Sequence, residues 1–391
     1  MSKGNGRFEE LTRQNELLKE QNNLLREQND LLRQTASLPA NDNREIFIEN
    51  IERDEMRNGF LVSSHKKKLW NVQIGLINEF ARVCKKHNLR WFAFYGTLLG
   101  AARHKGFIPW DDDSDVVMFR DDYEKFKRIA RTEIKPPYFV DDWSDYRRED
   151  SENAFEDSEM HLPLITREQE RHVGWPFCYP QLKLRDSRTA MIAYPNRPDV
   201  NQGIFIDVFP LDAAPPFTDK NQQPKFNAAR LLLQTIAFPD DVRKLLAKNT
   251  RLIIPAEQLK NFLKQSHKRK VAILENFLRK NFSAPEHVDQ LRDWSLIANR
   301  YSYDTADFND VVYLPFEKIK VPAPVGWEKI LTTRYGDWQK MIYTHTHSLT
   351  NSADVSYDEY FSHAAKKTVM TDENSVTTVL IEDVNGNSDA Q

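Results

Sequence analysis

At 391 residues the chain is long enough for about two or three domains and a sizeable buried core. Its 55 Lys and Arg nearly cancel its 58 Asp and Glu, and the formal charge of -3 excludes a nucleic-acid binder that works by overall charge, so any anion site must be local. The mean hydropathy of -0.66, the lack of any apolar run long enough to cross a bilayer, the polar start Met1-Ser-Lys-Gly-Asn-Gly and only two cysteines, neither at metal-ligand spacing, predict a reduced, cytoplasmic protein, or one peripheral at the inner face of the membrane.

Residues 11 to 34 repeat every seven positions. Leu11, Leu18, Leu25 and Leu32 fit heptad position d, which places Asn15, Asn22 and Asn29 at a. Polar a positions cost stability but fix register and favour a parallel pair, while the doubled leucines at 17, 24 and 31 widen the apolar stripe and leave a larger oligomer open. Residues 1–40 are therefore expected to be a coiled coil and linker that make a homo-oligomer.

A helical stripe follows in Leu69, Trp70, Gln73, Leu76, Ile77, Phe80, Val83 and Cys84, ending near His87-Asn88. Trp91 to Tyr95 suits a buried strand, Thr97 to His104 a helix capped by Thr97, Asp113 to Phe119 the next strand, and Asp121 onward another helix. The sheet is expected to continue through 138–140, 181–184, 191–192 and 203–209. Residues 141–160 read as an acidic surface loop. From about Lys225 to Tyr301 the spacing is helical throughout, and the polar tail after Ser362 reads as disordered apart from a possible strand at 376–381. The domains are set at 60–220 (catalytic), 221–345 (helical subdomain and C-terminal part) and 362–391 (tail). The fold class is α/β (α+β), a mixed sheet flanked by helices.

The chemistry concentrates in Gly96-Thr97-Leu-Leu-Gly-Ala-Ala-Arg103-His104-Lys-Gly-Phe-Ile-Pro-Trp-Asp111-Asp-Asp113-Ser-Asp115. A glycine followed by a small hydroxyl residue lets backbone N–H groups approach a phosphate, and carboxylates two apart on a strand share a face, so Asp111, Asp113 and Asp115 can converge on a divalent cation. A calcium loop is excluded, because position 6 is Val116 rather than glycine and position 12 is Asp122. A solvated acidic turn fits poorly beside the apolar Val116 to Phe119. Asp207 interrupts the apolar run Gly-Ile-Phe-Ile-Asp-Val-Phe-Pro, which calls for either a cation or an arginine partner. Arg103 and His104 are candidate phosphate ligands, and Lys183 suits a cleft or the surface equally. His345 and His347 lack companion ligands for zinc.

The run from Tyr95 to Asp115 resembles the signature of the LicD family of phosphocholine transferases, related to fukutin within the nucleotidyltransferase superfamily. Phe205-Ile-Asp207-Val-Phe-Pro-Leu-Asp212 is similar to the family's second acidic strand and Arg334-Tyr-Gly-Asp337-Trp to its C-terminal helix end, so the likeness covers roughly residues 60 to 345. It implies a nucleotidyltransferase-like fold with Asp113 and Asp115 as the metal pair for Mg2+ or Mn2+, Asp207 as the third acid, and Asp111 as a further ligand. Gly96, Thr97, Arg103, His104 and Lys183 would hold the nucleotide and phosphates. The implied reaction moves phosphocholine, or a related phospho-alcohol, from a CDP-linked donor such as CDP-choline to a sugar hydroxyl of a cell-surface glycan or lipid-linked oligosaccharide, as in lipopolysaccharide or teichoic acid modification. Two departures stand out: Tyr95 replaces the family's usual glycine, and Ser114 the usual aliphatic residue. The competing readings are a nucleotidyltransferase proper, which would release pyrophosphate, and a coiled-coil scaffold with an inactive transferase domain.

Overall fold

The structure is a computed structural model that describes residues 45–142, 181–191, 201–213, 220, 223–248, 252–282, 290–293 and 301–342, with short strand segments at 147–148, 164–165, 355–356, 366–368 and 379–381. The heptads, the loop expected over 141–160 beyond residue 142, His345 and His347, and most of the C-terminal tail lie outside the described residues.

A hairpin of β1 (Glu55–Arg57) and β2 (Phe60–Val62) precedes the long helix α1 (Ser64–Lys86). Ser63 caps α1 by accepting from the Lys66 amide at 3.1 Å, and Lys85 and Lys86 sit in its last turn, where the helix dipole favours cations. Its buried face includes Leu69, Trp70, Ile77, Phe80 and Cys84, as the apolar spacing predicts, and each large apolar side chain there contributes about 1.5–3 kcal/mol. Next come β3 (Phe92–Ala93), α2 (Tyr95–Arg103), β4 (Asp115–Phe119), α3 (Arg120–Glu133), β5 (Tyr138–Asp142), β6 (Leu182–Asp186) and β7 (Ile204–Ala213).

Four helices follow, α4 (Gln223–Ala237), α5 (Pro239–Ala247), α6 (Ala256–Leu263) and α7 (His267–Phe282), with a core of their own that includes Phe226, Leu233, Val271 and Leu278. The helical pattern expected up to Tyr301 stops there, because β8 (Gln290–Asp293) returns to pair with the C-terminal half of β7 and with β9 (Tyr303–Asp304). A long antiparallel hairpin, β10 (Val311–Phe316) and β11 (Ile319–Pro324), leads to α8 (Trp327–Tyr335), which ends at Gly336 in the left-handed region, φ 66°.

The main sheet has seven strands, and its pairing is mixed. β7 runs parallel to β4 and antiparallel to β6 and β8, while β3 pairs antiparallel with β4 and β5 with β6. The strand expected at 191–192 is not part of it: Ala190–Met191 pairs with Val355–Ser356 in a separate two-stranded ladder.

All five residues of β4 and all ten of β7 are buried, so both strands are covered on two faces. Val116 and Met118 pack with α1 and α3, whereas Val117 and Phe119 pack with residues of α2 and α8 such as Leu98, Ile330 and Leu331. By the same alternation Asp115 faces the α2 and α8 side, at the first residue of β4.

Candidate active site

Strand register builds the site. Asp207 stands opposite Asp115 across the parallel β7–β4 pair and opposite Lys183 across the antiparallel β7–β6 pair. Paired residues share a face, so a row of Asp115, Asp207 and Lys183 crosses three strands with its side chains on one side of the sheet. All three are buried.

The acidic turn that leads into β4 is fastened by α1 and by β7. Trp70 Nε1 donates to the Asp111 carbonyl at 3.1 Å, and Gln73 Nε2 donates to the Asp112 carbonyl at 2.8 Å and the Phe205 carbonyl at 3.4 Å. Ser114 Oγ donates to Gln73 Oε1 at 3.4 Å, which gives the residue in the usual aliphatic position a buried polar partner. The Asp207 amide donates to the Ser114 carbonyl at 2.8 Å.

Thr97 does not cap its helix as the sequence suggests. The helix begins two residues earlier, with extended Phe94 at its N-cap, and the Thr97 hydroxyl accepts from the Asp115 amide at 2.8 Å. That bond satisfies the first donor of β4 and ties the glycine turn to the acidic strand. Gly96 is required by close approach: a Cβ at this position would lie 2.5 Å from Asp111 Oδ2 and 3.9 Å from Asp115 Oδ2. Two carboxylates thus converge beside the turn. Tyr95, just before it, holds a positive φ of 43°, which strains any residue but glycine.

The electrostatics follow from this crowding. Burial pushes the Asp111 carboxyl well above the usual range, and Asp113 and Asp112 push it further. Burial does the same to Asp115, reinforced by Asp113, Asp207 and Asp111 and opposed by Lys183. Asp207 is also raised, mainly by burial, against the pull of Lys183. Its Oδ1 accepts from Lys183 Nζ at 2.5 Å and from Gln181 Nε2 at 2.8 Å, whereas Oδ2 has no hydrogen bond among the described residues. The partner that the sequence left as an arginine is therefore a lysine, and Lys183 is not on the surface.

Among the described residues no three carboxylate, imidazole or thiolate side chains are arranged to hold a metal ion by themselves. The donor chemistry nevertheless fits a hard divalent cation. Magnesium commonly takes one or two protein carboxylates and completes its shell with water and substrate phosphate, and a cation would relieve the repulsion that raises Asp111 and Asp115.

Arg103 and His104 make no hydrogen bond or ion pair to the acidic residues among the described residues. Arg103 Nη1 donates to the carbonyls of Trp338 at 2.9 Å and Lys340 at 3.0 Å, and so clamps the chain beyond α8 onto α2. His104 Nδ1 contacts Asn58 Nδ2 at 2.7 Å, and burial, with Arg103 and Arg57 nearby, brings its pKa down to about 4. At neutral pH it carries no charge for a phosphate. Lys66 of α1 does bring a cation: its ammonium is drawn by Asp112, Asp111 and Asp113, although burial outweighs them and lowers its pKa. Burial pushes up the Tyr335 phenol of α8, and Asp115 and Asp111 add to the rise. Neither residue carries a local sequence signal for this role, because both arrive through packing of separate helices.

The mixed sheet thus sets a glycine turn beside carboxylates that raise one another's pKa. Residues 88–202 match the family model described as LicD/FKTN/FKRP, nucleotidyltransferase domain. Within those residues the chain is similar to the LicD family. Lipopolysaccharide cholinephosphotransferase LicD of Haemophilus influenzae is 26% identical over 283 residues, which cover 69% of this chain and 89% of that protein. Uncharacterized proteins of Rickettsia typhi and Rickettsia prowazekii are 39% and 29% identical over 66 and 123 residues, 17% and 32% of this chain and 21% and 41% of theirs.

Proposed function

We propose that this chain is a divalent-metal-dependent transferase that moves phosphocholine, or a related phospho-alcohol, from a CDP-activated donor to a sugar hydroxyl of a cell-surface glycan. The observation that carries the reading is the approach of Asp111 Oδ2 and Asp115 Oδ2 to one point beside Gly96, with the Asp207–Lys183 pair in register next to it. The likeness to a cholinephosphotransferase over most of that protein's length supports the choice of group and acceptor.

Asp111 and Asp115, with Asp113 adjoining, would hold Mg2+ or Mn2+, which when bound neutralises charge on the donor diphosphate. Asp207 Oδ2 would orient the acceptor hydroxyl and take its proton, while Lys183 keeps the carboxylate fixed through Oδ1. The acceptor oxygen forms a bond to phosphorus as the bridging P–O bond breaks, and the bonding pair leaves on CMP. Among the described residues no helix is long and apolar enough to cross a membrane, so a lipid-linked acceptor would be met at the membrane surface.

The test is product analysis with the full chain, lipopolysaccharide and magnesium, with CDP-choline, other CDP-alcohols and nucleoside triphosphates each offered as donor. CMP release with phosphocholine on the glycan is expected. A nucleotidylated acceptor with loss of pyrophosphate from a nucleoside triphosphate would replace this reading with a nucleotidyltransferase proper, and no turnover with any CDP-alcohol or triphosphate would favour the inactive scaffold.

A further inference from the structure

Arg334, in the last turn of α8, carries a charge that the acidic site does not use. Its guanidinium carbon lies 4.2 Å from the centre of the Tyr95 ring, 5.3 Å from that of Tyr301 and 5.7 Å from that of Tyr335. Among the described residues no carboxylate pairs with it, and its Nε is buried without a hydrogen-bond partner. The residue as a whole is half-buried, and a guanidinium partly withdrawn from water gains from an anion at its unpartnered donor.

Its position says which anion would suit it. The ring it stacks on belongs to Tyr95, the residue before Gly96, beside which Asp111 and Asp115 converge. Those same two carboxylates push up the phenol of its neighbour Tyr335, while the guanidinium pulls it down. Arg103, through the carbonyls of Trp338 and Lys340, fixes this end of α8 to the glycine-turn helix. With rings on its faces, the guanidinium has its Nε–H donor unpartnered, and phosphate oxygens suit that donor.

We propose that Arg334 binds the non-transferred phosphate of the nucleoside diphosphate donor, on the edge of the site flanked by Asp111 and Asp115. The assignment rests on the phosphate-transfer reading above. As the bridging P–O bond breaks, its electron pair passes to this phosphate, and the guanidinium offsets the charge that develops there. Tyr95 then has a role that the family's usual glycine could not fill, as a ring on which Arg334 rests.

The experiment measures binding of magnesium pyrophosphate, CDP and cytidine to the full chain by calorimetry, for wild type, Arg334→Gln and Arg334→Lys. Arg334→Gln should weaken pyrophosphate and CDP by about 10- to 100-fold and leave cytidine unchanged. Arg334→Lys keeps a cation on the rings, which guards the fold, but loses the fork and should recover only part of the affinity. Diphosphate affinity in both variants indistinguishable from wild type, or equal losses for cytidine and CDP, would overturn the assignment. Wild type that binds pyrophosphate but not CDP would refute the cytidine donor alone, with Arg334 still judged by the pyrophosphate comparison. Wild type that binds neither would overturn both.

Discussion

Replacing Asp115 by asparagine should stabilise the metal-free protein while abolishing its response to magnesium. The carboxyl is buried, has no hydrogen bond to its side chain among the described residues, and is pushed well above its ordinary 3.8 by burial and by Asp113, Asp207 and Asp111. The sign follows from proton linkage. A carboxyl whose native pKa is raised binds more protons folded than unfolded between the two values, so it withdraws stability as pH rises from about 3.8 through the native pKa, and the full loss is present above it. Each unit of upward displacement withholds about 1.4 kcal/mol. An amide keeps the shape and carries no charge, so Asp115→Asn should melt higher in chelator at pH 8, by about 2–4 °C per kcal/mol restored. The gap should narrow as pH falls toward 4. With magnesium at about 100 times its Kd, wild type should gain about 2.7 kcal/mol and the variant nothing. A variant that melts lower than wild type in chelator, with a gap independent of pH, would refute the view that Asp115 is a strained cation ligand and make it a structural residue.

Three further outcomes are expected. Lys183→Met strands Asp207 in the interior and should cost about 3–5 kcal/mol by urea denaturation, whereas an unchanged midpoint would mean that the pair is not ionised. His104, held down to about 4 from 6.5, binds protons more readily unfolded, so stability should fall as pH drops from 6.5 toward 4, and His104→Gln should flatten that slope in thermal melts. Deleting residues 1–40 should lower the mass measured by light scattering and leave turnover intact, since the acidic motifs lie far beyond the heptads.

Much of the sheet is legible from local pattern. The stripe from Leu69 to Cys84 and the apolar run at Val116 to Phe119 have one dominant period each, and burial makes that period decisive. What fails is whatever depends on partners distant in sequence. Thr97 has the composition of a cap, yet its hydroxyl is taken by the Asp115 amide because the β3–β4 pairing brings that donor within reach. Arg103 and His104 sit beside the glycine turn in sequence, but the helix directs them to Trp338, Lys340 and Asn58. The strand at Gln290–Asp293 is short and pairs with residues about 80 positions earlier, so no local period announces it.

Asp207 shows how a local anomaly can point correctly to constraint and leave its nature open. A carboxylate within an apolar strand must be compensated, and sequence offered a cation or an arginine as alternatives. Register supplies a third arrangement: Lys183 on one flanking strand takes Oδ1, Asp115 on the other stands opposite, and Oδ2 is left without a hydrogen bond among the described residues. A lysine pair of this kind opposes the rise that burial imposes on the carboxylate and fixes its direction. Those are the properties that an acid oriented toward an acceptor hydroxyl needs. The structural and the catalytic readings of Asp207 are thus compatible, and they divide between its two oxygens.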